Sequence, residues 1–275
     1  MNPHARKSIS PLELVRSLFA HRALIRGLIK REVIGRYRGS FMGLLWSFFT
    51  PILMLGVYTL VFSVVFKARW DGGVGSKTEF AMILFAGLMA FNLFSEGLNK
   101  GPTLILGNAN YVKKVLFPLE ILPVVVLGSA FFHFLISFAA WLIFYFVFFG
   151  IPHATLFQLP LVLIPLMLLS LGLSWFLASL GVFLRDIGQI IGVLTMVLMY
   201  VSPIFYPVAA LPPQYQKFMA LNPLTFSIEQ VRNSMFFGKP LEWMPWLLQL
   251  GLGLLVAWLG YAWFQKTRKG FADVV

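Results

Sequence analysis

LIKREVIGRYRGSFMGLLW, Leu28 to Trp46, changes character halfway along. Lys30, Arg31, Glu32, Arg36 and Arg38 charge its first part, and an uncharged apolar run then continues to Phe66. A basic segment joined directly to sequence that suits hydrocarbon is a membrane junction. Composition extends that reading to the whole chain: 59% of the 275 residues are hydrophobic, 12% are charged and mean hydropathy is +0.83. Soluble domains carry about 25% charged residues, so this chain is expected to dissolve in lipid. The pI near 10.1 would suggest nucleic acid in a soluble protein. Here it reflects the Lys and Arg that hold cytoplasmic loops in place. There is no cysteine, which excludes disulfides, Cys-ligated zinc and thiol catalysis.

Outward from the junction, six segments are long enough for a core that needs about 20 helical residues. They cover 41–66, 81–98, 119–149, 159–184, 187–206 and 246–265. The third begins raggedly around Pro118, Glu120 and Pro123, and the fifth is cut short by Pro203 and Pro207. The first run is too long for the core of a signal peptide and lacks a small-residue cleavage site, so the first span is expected to stay in the mature protein. Lys and Arg number sixteen in the N-terminal 40 residues, the 99–114 loop, the 185–186 turn and the tail, against six in the other loops. That asymmetry puts both termini in the cytoplasm. The expected fold is an all-α integral membrane protein with six transmembrane helices. A cytoplasmic region 1–40 precedes one transmembrane domain over 41–265, and 266–275 forms a cytoplasmic tail.

Residues 11–38 read as one amphipathic helix at the membrane interface. Val15, Leu18, Ile25, Ile29 and Val33 share a face, with Arg16, Arg26, Lys30 and Arg31 mostly elsewhere and Arg22 and Arg36 interrupting it. Gly35, Gly39, Gly43 and Ser47 recur every fourth position, as do Gly188 and Gly192. Such spacing lets a second helix approach closely, within one subunit or between two. The 99–118 loop is short, basic and partly apolar, either a solvated loop or a lever for a partner. Gly72 to Thr78, GGVGSKT, glances at a phosphate-binding loop but has Ser76 where that motif needs Gly before Lys-Thr, and no strand precedes it.

No nucleophile-base pair, metal cluster or pair of catalytic carboxylates stands out. Glu96, Glu120, Arg185 and Asp186 read as inner-end charge pairs, with Lys100, Lys113, Lys114 or Arg185 as partners for the two glutamates. His133, alone in mid-span, is expected to hydrogen-bond to a backbone carbonyl. Tyr58, Trp141, Tyr145, Trp175 and Tyr200 lie within spans, where their polar edges need partners. After the fifth span, PIFYPVAALPPQYQ (203–216) breaks the helix with four prolines. NPLTFSIEQVRN (222–233) then offers Asn222 as N-cap and Pro223 at the first helical position. Leu224, Ile228, Val231 and Met235 form its apolar stripe, with Glu229 and Arg232 expected off it. Two short re-entrant helices between the fifth and sixth spans would fit 203–245.

In order, REVIGRYRGSFMGLLW, NANYVKKVLFP, FLRDIGQIIGVLTMVLMYVSPIFYP and NPLTFSIEQVRN resemble the membrane subunit of ABC type-2 exporters, in the branch that exports O-antigen, capsule or teichoic acid chains. The resemblance covers essentially the whole chain. It implies a homodimer in the bacterial inner membrane, paired with two copies of a separate ATPase that carries ATP and Mg2+, and a lipid-linked polysaccharide substrate. This chain would bind no cofactor, would not be an enzyme and would not bind nucleic acid. The resemblance places ATPase docking at Arg31, Arg36, Arg38, Asn108, Tyr111, Lys113 and Lys114. It places a periplasmic gate at Pro203, Tyr206, Pro207, Asn222, Pro223 and Arg232. A drug or lipid exporter of the same superfamily would share the architecture. A proton-coupled transporter would need ionisable groups at mid-membrane and no ATPase.

Overall fold

The computed structural model describes residues 9–61, 77–112 and 117–274. Among them the regular structure is helical. In chain order come α1 (Pro11–Ala20), α2 (Arg22–Tyr37), α3 (Trp46–Tyr58), α4 (Lys77–Lys100) and a single turn, α5 (Ala109–Val112). Then follow α6 (Leu122–Phe149), α7 (Leu159–Phe183), α8 (Ile187–Val201), α9 (Pro213–Leu221), α10 (Pro223–Arg232), α11 (Trp243–Thr267) and α12 (Phe271–Val274). Among the described residues five helical stretches are long and apolar enough to cross a membrane, namely Gly43–Val61, Thr78–Thr103, Leu119–Phe149, Ala154–Phe183 and Trp243–Gly270. Ile187–Val201 is apolar but shorter, at 15 residues. Gly72 to Ser76 of the GGVGSKT turn, and Lys113 and Lys114, lie outside the described residues.

α4 is the centre of the bundle. It is ringed by α3, α6, α7, α8 and α10, so no side of it needs to be polar, and Ile83, Leu84, Ala86 and Ala90 are fully buried. Trp141 Nε1 of α6 donates to Met82 O of α4 at 3.0 Å, and Ser170 Oγ of α7 to Phe94 O at 3.1 Å. α7 and α11 form the most extensive helix pair, and glycine permits it. A Cβ on Gly260 would land on the Gly172 carbonyl, and one on Gly172 on the Val256 carbonyl. Small residues at a crossing bring backbones into contact, which drives association where lipid is as apolar as the side chains. Pro165 lies inside α7 and has no N–H for the Leu161 carbonyl one turn back. Trp246 Nε1 of α11 supplies that donor at 3.0 Å.

The N-terminal region is two helices, where one was expected over 11–38. His21 leaves helical geometry at φ −100°, ψ 15°, and α1 is held from outside by Ser17 Oγ, which donates to Glu120 Oε1 at 3.1 Å. Leu28 and Val33 are buried, with Leu18, Ile25 and Ile29 packed beside Ile121 and Val125. Val15, assigned to the same face, is instead 49% exposed. α2 ends at Tyr37, and Gly39 (φ 85°) and Gly43 (φ 51°) turn the chain into α3. Gly35, Gly39 and Gly43 therefore do not share one continuous helix. No atom of the described chain comes within 4 Å of a Cβ built at any of them, nor at Gly192. Among the described residues they have no close-packing partner.

Candidate functional site at the two ends of the bundle

At the inner end, the last turn of α2 meets the last turns of α4. Arg36 pairs with Glu96, Lys100 Nζ sits 3.2 Å from the same Glu96 oxygen, and Lys100 Nζ reaches Glu32 Oε1 at 2.8 Å. Two cations and two carboxylates thus bind α2 to α4 in a charge-balanced network. One helical turn before Arg36, Arg31 Nη1 donates to the Tyr111 hydroxyl at 2.6 Å, and its guanidinium lies 5.6 Å from that ring's centre. Tyr111 in turn stacks on Phe117 with centroids 4.1 Å apart. Two residues 80 apart in sequence therefore form one exposed basic platform made of α2 and the 101–112 loop. Asn108 Nδ2 donates to Leu104 O at 2.9 Å, so its side chain stays within that loop. Arg38 is exposed in the bend after α2.

The second inner-end carboxylate has an unexpected partner. Glu120 is buried and receives Arg268 Nη1 at 2.6 Å, while Arg268 Nη2 donates to Phe117 O at 2.9 Å. Trp175 Nε1 donates to the Glu120 backbone carbonyl at 2.9 Å. Arg268 comes from the basic tail, 148 residues away, and nothing in local spacing marks it; its charge entered the sequence reading only through topology. Among the described residues Arg185 and Asp186, expected as a third pair, are both exposed and form no ion pair. They lie in the short turn between α7 and α8, where water can reach them without help.

A cavity of about 470 Å³ opens beside the first network, between the end of α2, α3, α4 and α6. Arg36, Tyr37, Tyr58, Asn92, Glu96 and His133 are among its walls. Among the described residues His133 makes no carbonyl bond, contrary to expectation. Its Nδ1 lies 3.5 Å from the Tyr37 hydroxyl, and its Nε2 has no partner among the described residues. The cavity offers donors, acceptors and ring faces together, which suits a ligand with many hydroxyls. Asn99, another wall residue, accepts from Thr195 Oγ1 at 3.0 Å and so joins α4 to α8.

At the other end of α4, the break after α8 is built around one arginine. Arg232, expected off the apolar stripe of α10, is buried. Its Nε donates to Ile83 O at 3.1 Å, and its terminal nitrogens donate to the carbonyls of Pro203 and Ile204. The Pro203 and Ile204 carbonyls lie in the irregular backbone after α8, and a planar five-donor group satisfies several acceptors at once. Gly87 makes room, since a Cβ there would meet the guanidinium. The Tyr206 hydroxyl turns back to the carbonyls of Tyr200 and Val201 at 3.1 and 3.0 Å, satisfying groups that the end of α8 leaves open. Asn222 caps α10 through Leu224 N at 2.9 Å and also donates to Ser202 Oγ at 2.9 Å. Pro223 opens α10, and Pro207 opens the short 3-10 turn that follows the break. Five of the six gate residues thus bear on one joint between α4, α8 and α10, and Pro207 follows directly after it.

Residues 23–236 match a family described as ABC-2 type transporter. The chain belongs to that family. Within it, this chain is 27% identical to the O-antigen export system permease protein RfbA of Myxococcus xanthus, over 96% of this chain and 100% of that protein. A permease of the same name from Klebsiella pneumoniae is 24% identical over 90% of this chain and 93% of its own length. The capsule polysaccharide export inner-membrane protein CtrC of Neisseria meningitidis serogroup B is 25% identical over 96% and 98%. An ABC-2 member with five long apolar helices is an integral membrane component of a transporter.

Proposed function

We propose that this chain is the transmembrane subunit of an ATP-driven exporter that moves a lipid-linked polysaccharide, of the O-antigen, capsular or teichoic acid kind, from the cytoplasm across the bacterial inner membrane. The observation that carries the substrate class is the near end-to-end similarity to permeases named for O-antigen and capsule export. In this reading two copies form a homodimer, paired with two copies of a separate ATPase that binds ATP and Mg2+. The chain crosses the membrane six times, α8 and its broken end making the fifth crossing. Both termini are cytoplasmic, α1 and α2 lie along the inner interface, and α9 and α10 dip back into the outer leaflet as a gate.

The geometry suggests how force would travel. The platform of Arg31 and Tyr111 is exposed, basic and aromatic, a surface fit for a soluble partner. Closure of the ATPase would push on α2 and the loop. The Arg36–Glu96–Lys100–Glu32 network would pass the displacement to the inner end of α4. α4 runs the length of the bundle, and at its far end Ile83 is held by Arg232, which also holds Pro203 and Ile204. A rigid helix fastened at both ends by charged groups can couple two ends of a bundle, provided both ends have two arrangements.

The test is purification of the chain from its native membrane, followed by assay of the preparation for ATP hydrolysis. An ATPase in equal amount is expected, and Arg31→Ala combined with Tyr111→Ala should reduce its recovery at least fivefold. If no ATPase is recovered even after chemical crosslinking, the motor is wrong and a proton gradient becomes the energy source to examine.

A further inference from the structure

A second cavity, of about 450 Å³, lies at the end of α11 away from its basic C-terminal turn, between that helix and α9 and α10. Asn222 and Pro223, from the edge of the joint around Arg232, also belong to its wall. Thr225 and Glu229, one helical turn apart on α10, and Gln249 of α11 line it. Thr225 and Gln249 are each more than nine-tenths buried. Thr225 Oγ1 and Gln249 Oε1 have no hydrogen-bond partner among the described residues. Gln249 Nε2 is committed to the Pro223 carbonyl, so its oxygen is the end left over. Buried polar atoms without partners are destabilising, and here the residues that carry two of them share a cavity wall with a carboxylate.

The remaining wall is of another kind. Leu221, Leu248 and Leu252 line the same cavity and are exposed on the outside of the bundle. Leu247, Leu254, Leu255 and Leu259 continue that exposed apolar surface along α11. The site therefore joins three oxygen acceptors to a flank that belongs in hydrocarbon, and its ligand should be an amphiphile with a donor-rich head. A primary ammonium has three N–H donors and a positive charge, which match a carboxylate, an amide oxygen and a hydroxyl. We propose that this cavity binds the primary-ammonium headgroup of a membrane phospholipid, with Glu229, Thr225 and Gln249 as its acceptors. The lipid would be drawn from the outer leaflet, and that one point rests on the placement of α9 and α10 given under Proposed function.

The experiment uses the full chain, with any ATPase that accompanies it, purified in detergent. It is offered dioleoyl phosphatidylethanolamine, dioleoyl phosphatidylcholine or dioleoyl phosphatidylglycerol, and retained lipid is read by native mass spectrometry and thermal midpoint. Phosphatidylcholine is the sharp comparison, because its trimethylated head keeps the charge and loses all three donors. Retention of phosphatidylethanolamine should exceed both others by at least about tenfold, or about 1.4 kcal/mol. Glu229→Gln and Thr225→Val should each remove that preference, whereas Glu242→Gln should keep it. Equal retention of phosphatidylethanolamine and phosphatidylcholine by the unmodified chain overturns the proposal without need of any variant. So does a preference that survives in both variants. Equal binding of soluble glycerophosphoethanolamine would overturn the lipid assignment. Because lipid is read and not export, a wrong polysaccharide assignment would leave these outcomes unchanged.

Discussion

α7 and α11 are as apolar as α3 and α8, yet the two pairs sit in the molecule in opposite ways. α7 and α11 touch backbone to backbone at Gly172 and Gly260, and α7 also takes the Pro102 carbonyl against Gly181. In α3 only Ser47 and Leu55 are buried, and in α8 only Ile191 and Thr195. Phe48, Phe49, Ile52 and Leu53 on α3, with Ile190, Val193, Met196 and Val197 on α8, stand exposed. Hydropathy cannot tell these pairs apart, because a helix facing lipid and a helix facing protein carry the same residues. What separates them is whether small residues meet a partner. The first pair closes one subunit; the second leaves broad apolar surface for lipid or for another copy.

The largest effect should come from breaking the closed pair. Gly260→Leu would drive a branched side chain into the Gly172 carbonyl, at the backbone itself, where no rotamer change gives relief. A loss of about 4 kcal/mol or more is expected, read as a collapse in the yield of folded protein from detergent. Gly251→Leu, on the same helix with no atom within 4 Å of its built Cβ, should stay within about 0.5 kcal/mol of the parent. Equal losses from both would mean that α11 tolerates no bulk anywhere, and the contrast with α3 and α8 would lose its basis.

The next effect is at the joint that closes the outer end. Arg232→Met keeps length and removes the donors that hold Ile83, Pro203 and Ile204. Losing hydrogen bonds from a buried charged group costs about 1.5–3 kcal/mol. The measurement is hydrogen exchange: residues 202–206 and the first turns of α4 should lose protection, while the α7–α11 crossing keeps it. Uniform loss across the bundle would show that Arg232 supports the whole fold and not a local joint.

Much of this was legible in the sequence, in proportion to how local the cause was. The helix break after α8 follows from Pro203 and Pro207, and the Asn222 cap from the Asn-Pro pair that opens α10. The polar edges of Trp141 and Trp175 were expected to find partners, and both reach backbone carbonyls. Long-range choices were not legible. Glu120 takes Arg268 over the nearer Lys100, and Arg232 is pulled inward by carbonyls that exist only once α4 and the broken end of α8 meet. The α7–α11 crossing was not legible either, because Gly172 and Gly260 stand 88 positions apart and show no repeat within one helix. Gly35, Gly39 and Gly43 show the repeat and meet nothing among the described residues.

The smallest expected change in stability sharpens the other side of the comparison. Gly35 lies within α2 in open space, whereas Gly39 and Gly43 hold positive φ, where any side chain adds strain of about 1–2 kcal/mol. Gly35 is therefore the clean position at which to ask whether this open stretch is covered by a second copy. Gly35→Leu removes a poor helix former without touching any neighbour in the chain, so stability should hold or rise by up to about 1 kcal/mol. If a partner subunit approaches there, the same substitution should lower the crosslinked dimer at least fivefold in native membranes, with the thermal midpoint of the separated subunit unchanged or raised. A dimer yield equal to the parent would remove Gly35 from the interface and leave the exposed faces of α3 and α8 as the surface where the copies meet.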